Sequence, residues 1–176
     1  METKAHNLNW YFKGNEIRNL DHLIEVAKET DATLAEKINT KFDLFGFIYK
    51  LELLNQDSEH KLYIGKKFFW EERNIAAKKN GLPREGHISF FNRIVNHKRA
   101  RYEKIKAESN WQCYESSSDI VKNMSILQKE IIALALNPYQ LTYLEAKSLF
   151  VHNVLEDFQY LNANILGKFF RCKRLI

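Results

Sequence analysis

Four side chains in this 176-residue chain have types and spacings suited to chemistry: Tyr49, Tyr63, Arg73 and Glu145. Tyr49 closes the run Phe47-Ile48-Tyr49, and Tyr63 opens Tyr63-Ile64-Gly65 fourteen residues later. The segment between them ends Asn55-Gln56-Asp57-Ser58-Glu59-His60, which is polar and turn-prone. Two such runs about a turn read as an antiparallel hairpin, and a hairpin sets two phenols from different strands side by side. A single tyrosine in a strand is ordinary packing material; a pair is an unusual polar constellation. Arg73 follows ten residues after Tyr63. A guanidinium stays protonated and donates two parallel hydrogen bonds, which suits a phosphate group; the alternative is a solvent-facing arginine beside Glu71 and Glu72. Glu145 lies in Leu141-Thr142-Tyr143-Leu144-Glu145-Ala146-Lys147, and on a helix it shares a face with Leu141, Leu149 and His152. A carboxylate on a largely apolar face needs a partner. A hard divalent cation is one candidate, and a capping-box contact with Thr142 is another.

Strands and helices must place these groups. Trp10-Tyr11-Phe12 followed by Lys13-Gly14-Asn15 reads as a short strand and turn, and Ile17, Leu20, Leu23, Ile24 and Ala27 recur at helical spacing. Residues 1–41 are therefore expected to be a helical extension, and residues 42–176 the main domain. Asp43 to Leu53 is strand-like, with Lys61 to Gly65 as its hairpin partner. Phe68 to Lys79 is predicted as a helix carrying Arg73, ending before Asn80-Gly81-Leu82-Pro83. Residues 84–108 are strongly basic and ambiguous in conformation, the later half being compatible with helix. Ser116-Ser117-Ser118-Asp119 is a plausible start for a helix over 119–129. Glu130 to Leu136 reads as a strand broken by Asn137-Pro138, and Thr142 as the cap of a helix reaching about Asp157.

The formal net charge of +5 conceals an asymmetry. Residues 61–106 hold 13 Lys or Arg against 4 Asp or Glu, and the last nine add Lys168, Arg171, Lys173 and Arg174 with no acid. Such a block suggests a polyanion partner, the alternative being a solvated basic face. A composition of 45% hydrophobic and 28% charged residues is that of a folded domain, not a disordered chain. No apolar run reaches membrane-spanning length and no signal-peptide pattern opens the chain. Cys113 and Cys172 are isolated, with no zinc-site pattern; a disulfide between them is one reading, and a reduced, cytoplasmic protein is the favoured one.

Gly46-Phe47-Ile48-Tyr49-Lys50 and Leu62-Tyr63-Ile64-Gly65-Lys66-Lys67, with Arg73 and Glu145 downstream, resemble the GIY-YIG nuclease family. Phe47 stands where the first motif usually has glycine, and Ala77 where the family often has His or Tyr one turn beyond the arginine. Lys67 or another basic residue is a candidate for that missing group. The segment Glu108-Ser109-Asn110-Trp111-Gln112-Cys113-Tyr114-Glu115-Ser116-Ser117 resembles phage-encoded members, Glu115 replacing a usual glycine, as does the stretch from Tyr160 to Phe170. The resemblance covers about residues 42–170. It implies an α/β (α+β) fold with a small three-stranded antiparallel sheet flanked by helices. It further implies metal-dependent hydrolysis of DNA phosphodiesters, with Glu145 holding Mg²⁺ or Mn²⁺ and Arg73 neutralising the phosphate. Tyr49 is the implied general base, supported by Tyr63. Lys66, Lys67, Lys98, Arg99, Arg101, Ser116 and Ser117 are the implied DNA contacts. Asn162 and Asn164 are both candidates for the asparagine that follows the glutamate helix. The alternative is a nuclease-like module that binds nucleic acid or protein without cutting.

Overall fold

The computed structural model describes residues 8–76, 87–95 and 98–171, with backbone alone at 76, 87–95 and 98–103. Trp10–Phe12 (β1) and Asn15–Ile17 (β2) form a hairpin. Its loop residues Lys13 and Gly14 both have positive φ, 51° and 80°, as a type I′ turn requires. Helix α1, Leu20–Thr30, is capped by Asn19, whose Oδ1 accepts from His22 N at 2.8 Å. Asp31 caps the short α2, Ala32–Lys37.

Strands β3, Gly46–Leu54, and β4, His60–Phe68, then form the expected antiparallel hairpin, with Tyr49 opposite Gly65 and Tyr63 opposite Leu51. Next come β5, Trp70–Ala76, β6, His87–Val95, and β7, Lys98–Glu108. A short α3, Asp119–Lys122, precedes β8, Ser125–Ala135, and α4, Pro138–Val151; β9, Asn164–Ile165, and β10, Phe169–Phe170, close the described chain.

The main sheet has the order β2-β1-β8-β3-β4, with β1 parallel to β8 and the other pairs antiparallel. The predicted three-stranded sheet is its β8-β3-β4 part. The sheet is nonetheless five-stranded, because the N-terminal segment adds a hairpin as well as helices. On β3, Phe47, Tyr49, Leu51 and Leu53 turn into a core with Trp10, Leu23, Phe69 and Trp111, while Ile48 turns into a second core with Ile64, Leu141, Leu149 and Tyr160. Burial on both faces explains why the run from Gly46 to Tyr49 lacks polar alternation. The β3–β8 register shifts between Ile48 and Tyr49, leaving Ile132 of β8 unpaired beside the tyrosine.

Several expected elements differ. The predicted helix over 68–79 is strand β5 as far as the described residues run, paired with β7 in a second sheet of order β5-β7-β6. Phe69 is buried against Phe47 and Trp111, and Trp70 donates from Nε1 to Leu44 O at 2.7 Å. These anchors leave the chain extended, and the ladder to β7 satisfies its backbone; tertiary pairing overrides local propensity. The later half of the basic segment is likewise strand, β7. The helix after Ser118 stops at Lys122, because Ser125–Ala135 is needed between β1 and β3. Asn137 does end that strand, and it also caps α4, its Oδ1 accepting from Gln140 N at 2.8 Å with Pro138 in the first turn. Thr142 is therefore inside the helix, bonded to Pro138 O, and the expected capping box with Glu145 does not form. The helix ends at Val151, not near Asp157.

Candidate active site

Strand β4 is the last strand of its sheet, and residues 159–162 cover part of its free edge. Leu62 N donates to Gln159 O and Leu161 N to Leu62 O, each at 2.8 Å. Asn162 continues the pairing with its side chain: Oδ1 accepts from Ile64 N at 3.0 Å and Nδ2 donates to Ile64 O at 2.8 Å. A carboxamide thus replaces a strand's peptide group at the point where the covering segment turns away. Beyond it opens a cavity of about 580 Å³ whose lining includes Tyr63, Lys66, Ser118, Glu145, Asn162 and Asn164. Of the two asparagines, Asn162 is buried on the strand edge, whereas Asn164 is exposed and accepts from Gly167 N in a turn.

Glu145 projects from the middle of α4 and Lys66 from β4. Lys66 Nζ donates to Glu145 Oε2 at 2.8 Å, the side chains being 34% and 16% exposed respectively. The carboxylate expected to need a partner has one, and it is an ammonium. Among the described residues no three His, Cys, Asp or Glu side chains gather as a metal-binding set. The donor set fits Mg²⁺ or Mn²⁺ held through one carboxylate, with water and phosphate oxygens completing the shell, and does not fit zinc.

The two phenols occupy different environments. Tyr63 lines the cavity and Tyr49 is almost wholly buried, packed edge-on to Trp10 and Tyr114 with ring centroids 5.6 and 6.0 Å away. Their own centroids are 6.3 Å apart. Burial raises the Tyr49 hydroxyl's pKa far above the ordinary phenol value, and its neighbours Tyr114 and Tyr63 raise it further. Burial raises that of Tyr63 too, opposed by hydrogen bonds to Ser116 and Ser118. The structure thus places Tyr49 on the core face of the sheet and Tyr63 at the cavity.

Gly65 makes this arrangement possible. A Cβ there would collide with both the hydroxyl and the ring carbon Cζ of Tyr49 and lie 3.0 Å from Tyr63 Cε1. The glycine of Tyr63-Ile64-Gly65 is a seat for the tyrosine of the neighbouring strand. Gly65→Ala is expected to destabilise the fold by about 1–3 kcal/mol, the usual cost of overpacking. In a Tyr49→Leu background, which removes both colliding atoms, Gly65→Ala should cost less in urea unfolding than it does in the wild type; an equal cost would show that the collision is relieved elsewhere.

Arg73 is not brought to the cavity. Its strand carries it into the second sheet, where it is exposed and its Nε donates to Glu71 Oε1 at 2.6 Å. Lys67, adjacent to Lys66, points to the opposite face, with Nζ on Asn110 Oδ1 at 2.9 Å and 4.3 Å from the Tyr114 ring centroid. Ser116 accepts from Ser118 N at 3.0 Å and bonds both catalytic-candidate tyrosines, and Ser117 is exposed. Lys98, Arg99 and Arg101 fall on β7, and their side chains lie outside the described residues, as does Ala77. Sequence reasoning missed Ser118 and Tyr114; the serine run and the tyrosine just before it were the available signals.

The strand hairpin with its paired tyrosines, the glycine seat, the glutamate helix and the asparagine on the strand edge define a GIY-YIG domain. Residues 29–165 match the family model described as "Putative endonuclease segE, GIY-YIG domain", and the chain belongs to that family. No curated protein and no solved structure matches it. Among the described residues no helix is long and apolar enough to cross a membrane.

Proposed function

We propose that this chain is a divalent-metal-dependent DNA endonuclease that hydrolyses phosphodiester bonds in the cavity at the β4 edge. The observation that carries the reading is the convergence of Tyr63, Lys66, Glu145 and Asn162 on that one cavity. Glu145 would hold Mg²⁺ or Mn²⁺, and the ion when bound supplies charge stabilisation to the phosphate and the leaving oxygen. Tyr63, held by Ser116 and Ser118, orients the attacking water and, in its phenolate form, takes the water's proton to become the neutral phenol. Tyr49 is a positioning residue, its ring against Tyr63. Lys66, not Arg73, is the cation in the cavity, and it neutralises the scissile phosphate. Asn162 keeps the strand edge in register.

The test is nicking of supercoiled plasmid with Mg²⁺ or Mn²⁺, with chelator as control. Binding without cutting would favour the second reading, a nucleic-acid-binding module, for which the displacement of Arg73 from the cavity speaks. In either case Lys98, Arg99 and Arg101 are proposed to follow the phosphate backbone. Replacing all three by Gln should weaken binding about equally for all sequences and flatten the salt slope by about 0.9 per lost duplex contact. A loss confined to one sequence would mean that they read bases.

A further inference from the structure

We propose that Lys66 is a resident competitor for the cation position at Glu145, displaced by DNA, so that metal and DNA bind cooperatively. This inference rests on the nuclease reading and adds its order of assembly. The two partners come from different elements, a strand edge and a helix, and meet at 2.8 Å with Lys66 the more exposed, 34% against 16%. The carboxylate is therefore the more enclosed partner, while the ammonium has a route to solvent on a flexible four-carbon stem.

A hydrated divalent ion and an ammonium seek the same carboxylate oxygens. With Lys66 in place the pair has no net charge, and Glu145 is the one carboxylate among the described residues lining the cavity. Attraction for a divalent ion is weak under those conditions and grows when the lysine leaves. A phosphate in the cavity offers Lys66 another anion. As Lys66 moves to the phosphate, Glu145 is released for the metal, and by reciprocity the metal releases Lys66 for DNA. The device keeps the metal site weak until substrate is present.

The experiment measures Mn²⁺ binding to the full chain without DNA, by loss of the free-ion electron paramagnetic resonance signal. Lys66→Met should bind Mn²⁺ at least about tenfold more tightly than the wild type, a lower bound set by the interaction of charges a few ångströms apart in bulk water. Lys66→Arg, which keeps the charge, should stay as weak as the wild type. Glu145→Gln should lose the site. In chelator, Lys66→Met should bind duplex DNA more weakly, so the two affinities move in opposite directions, whereas a misfolded variant would lose both. Unchanged or weaker Mn²⁺ binding by a Lys66→Met variant that keeps the wild-type thermal midpoint, with Glu145→Gln still unable to bind Mn²⁺, would overturn the competition and leave the metal reading standing. Equal tightening in Lys66→Arg would also overturn it. Wild-type Mn²⁺ binding by Glu145→Gln would sink both readings together.

Discussion

Glu145→Gln is expected to lower metal-dependent cleavage by more than about a hundredfold, while the protein stays folded and still binds DNA. The side chain keeps its shape and an oxygen that can accept from Lys66 Nζ, so the packing of α4 against β4 survives. The ion pair it replaces is partly solvated, and pairs of that kind contribute about 0–1 kcal/mol. A thermal midpoint within a few degrees of wild type is therefore expected. The charge is what changes. A neutral amide is a poor ligand for a hard cation, and the developing charge on the phosphate loses its counter-ion, a loss of the size seen when one stabilising group is removed. DNA binding in chelator should hold or tighten slightly, because a negative group beside the phosphate path is gone. Normal cleavage by the folded variant would show that Glu145 anchors no metal.

The hairpin was legible because its signals are local: two β-rich runs, a polar turn between them, and tyrosines at their facing ends. The terminator Asn137-Pro138 was legible for the same reason, although its second role as the start of α4 depends on a cap that only the backbone direction reveals. Glu145 stood out because a carboxylate among Leu141 and Leu149 demands a partner, and the structure provides one. Arg73 was misplaced because Glu71, Glu72 and Arg73 suit an exposed helix as well as an exposed strand. The choice was made by Phe69 and Trp70, which bury against residues distant in sequence. The parallel pairing of β1 with β8 is also non-local, and three residues from Trp10 to Phe12 carry no trace of their neighbour. The difference between Tyr49 and Tyr63 follows from which sheet face the N-terminal segment and Trp111 cover, and no spacing rule records that.

That difference yields the last expectation, on the two tyrosines. Tyr63→Phe should lower cleavage by about 10²–10⁴-fold, the range for loss of a general base. In the wild type, the phenol's raised pKa means that only a small fraction is ionised near neutrality. The rate should climb with pH towards the alkaline end, by about tenfold per unit where the phenolate is scarce. Tyr63→Phe should remove that climb, and a mutant with the wild-type slope would exclude Tyr63 as the proton acceptor. Tyr49→Phe should show itself chiefly in stability. In the unfolded chain its hydroxyl ionises near pH 10, roughly the free phenol value, and in the fold burial holds that ionisation higher. A raised folded pKa means that the neutral group's contribution is present below about pH 10 and is lost as pH rises above it. Phe has no proton to lose, so Tyr49→Phe should unfold less readily than wild type between about pH 10 and 11.5, relative to their difference at about pH 8. Urea midpoints across that range measure it. If the two proteins lose stability in parallel, Tyr49 is not the group whose ionisation opens the core.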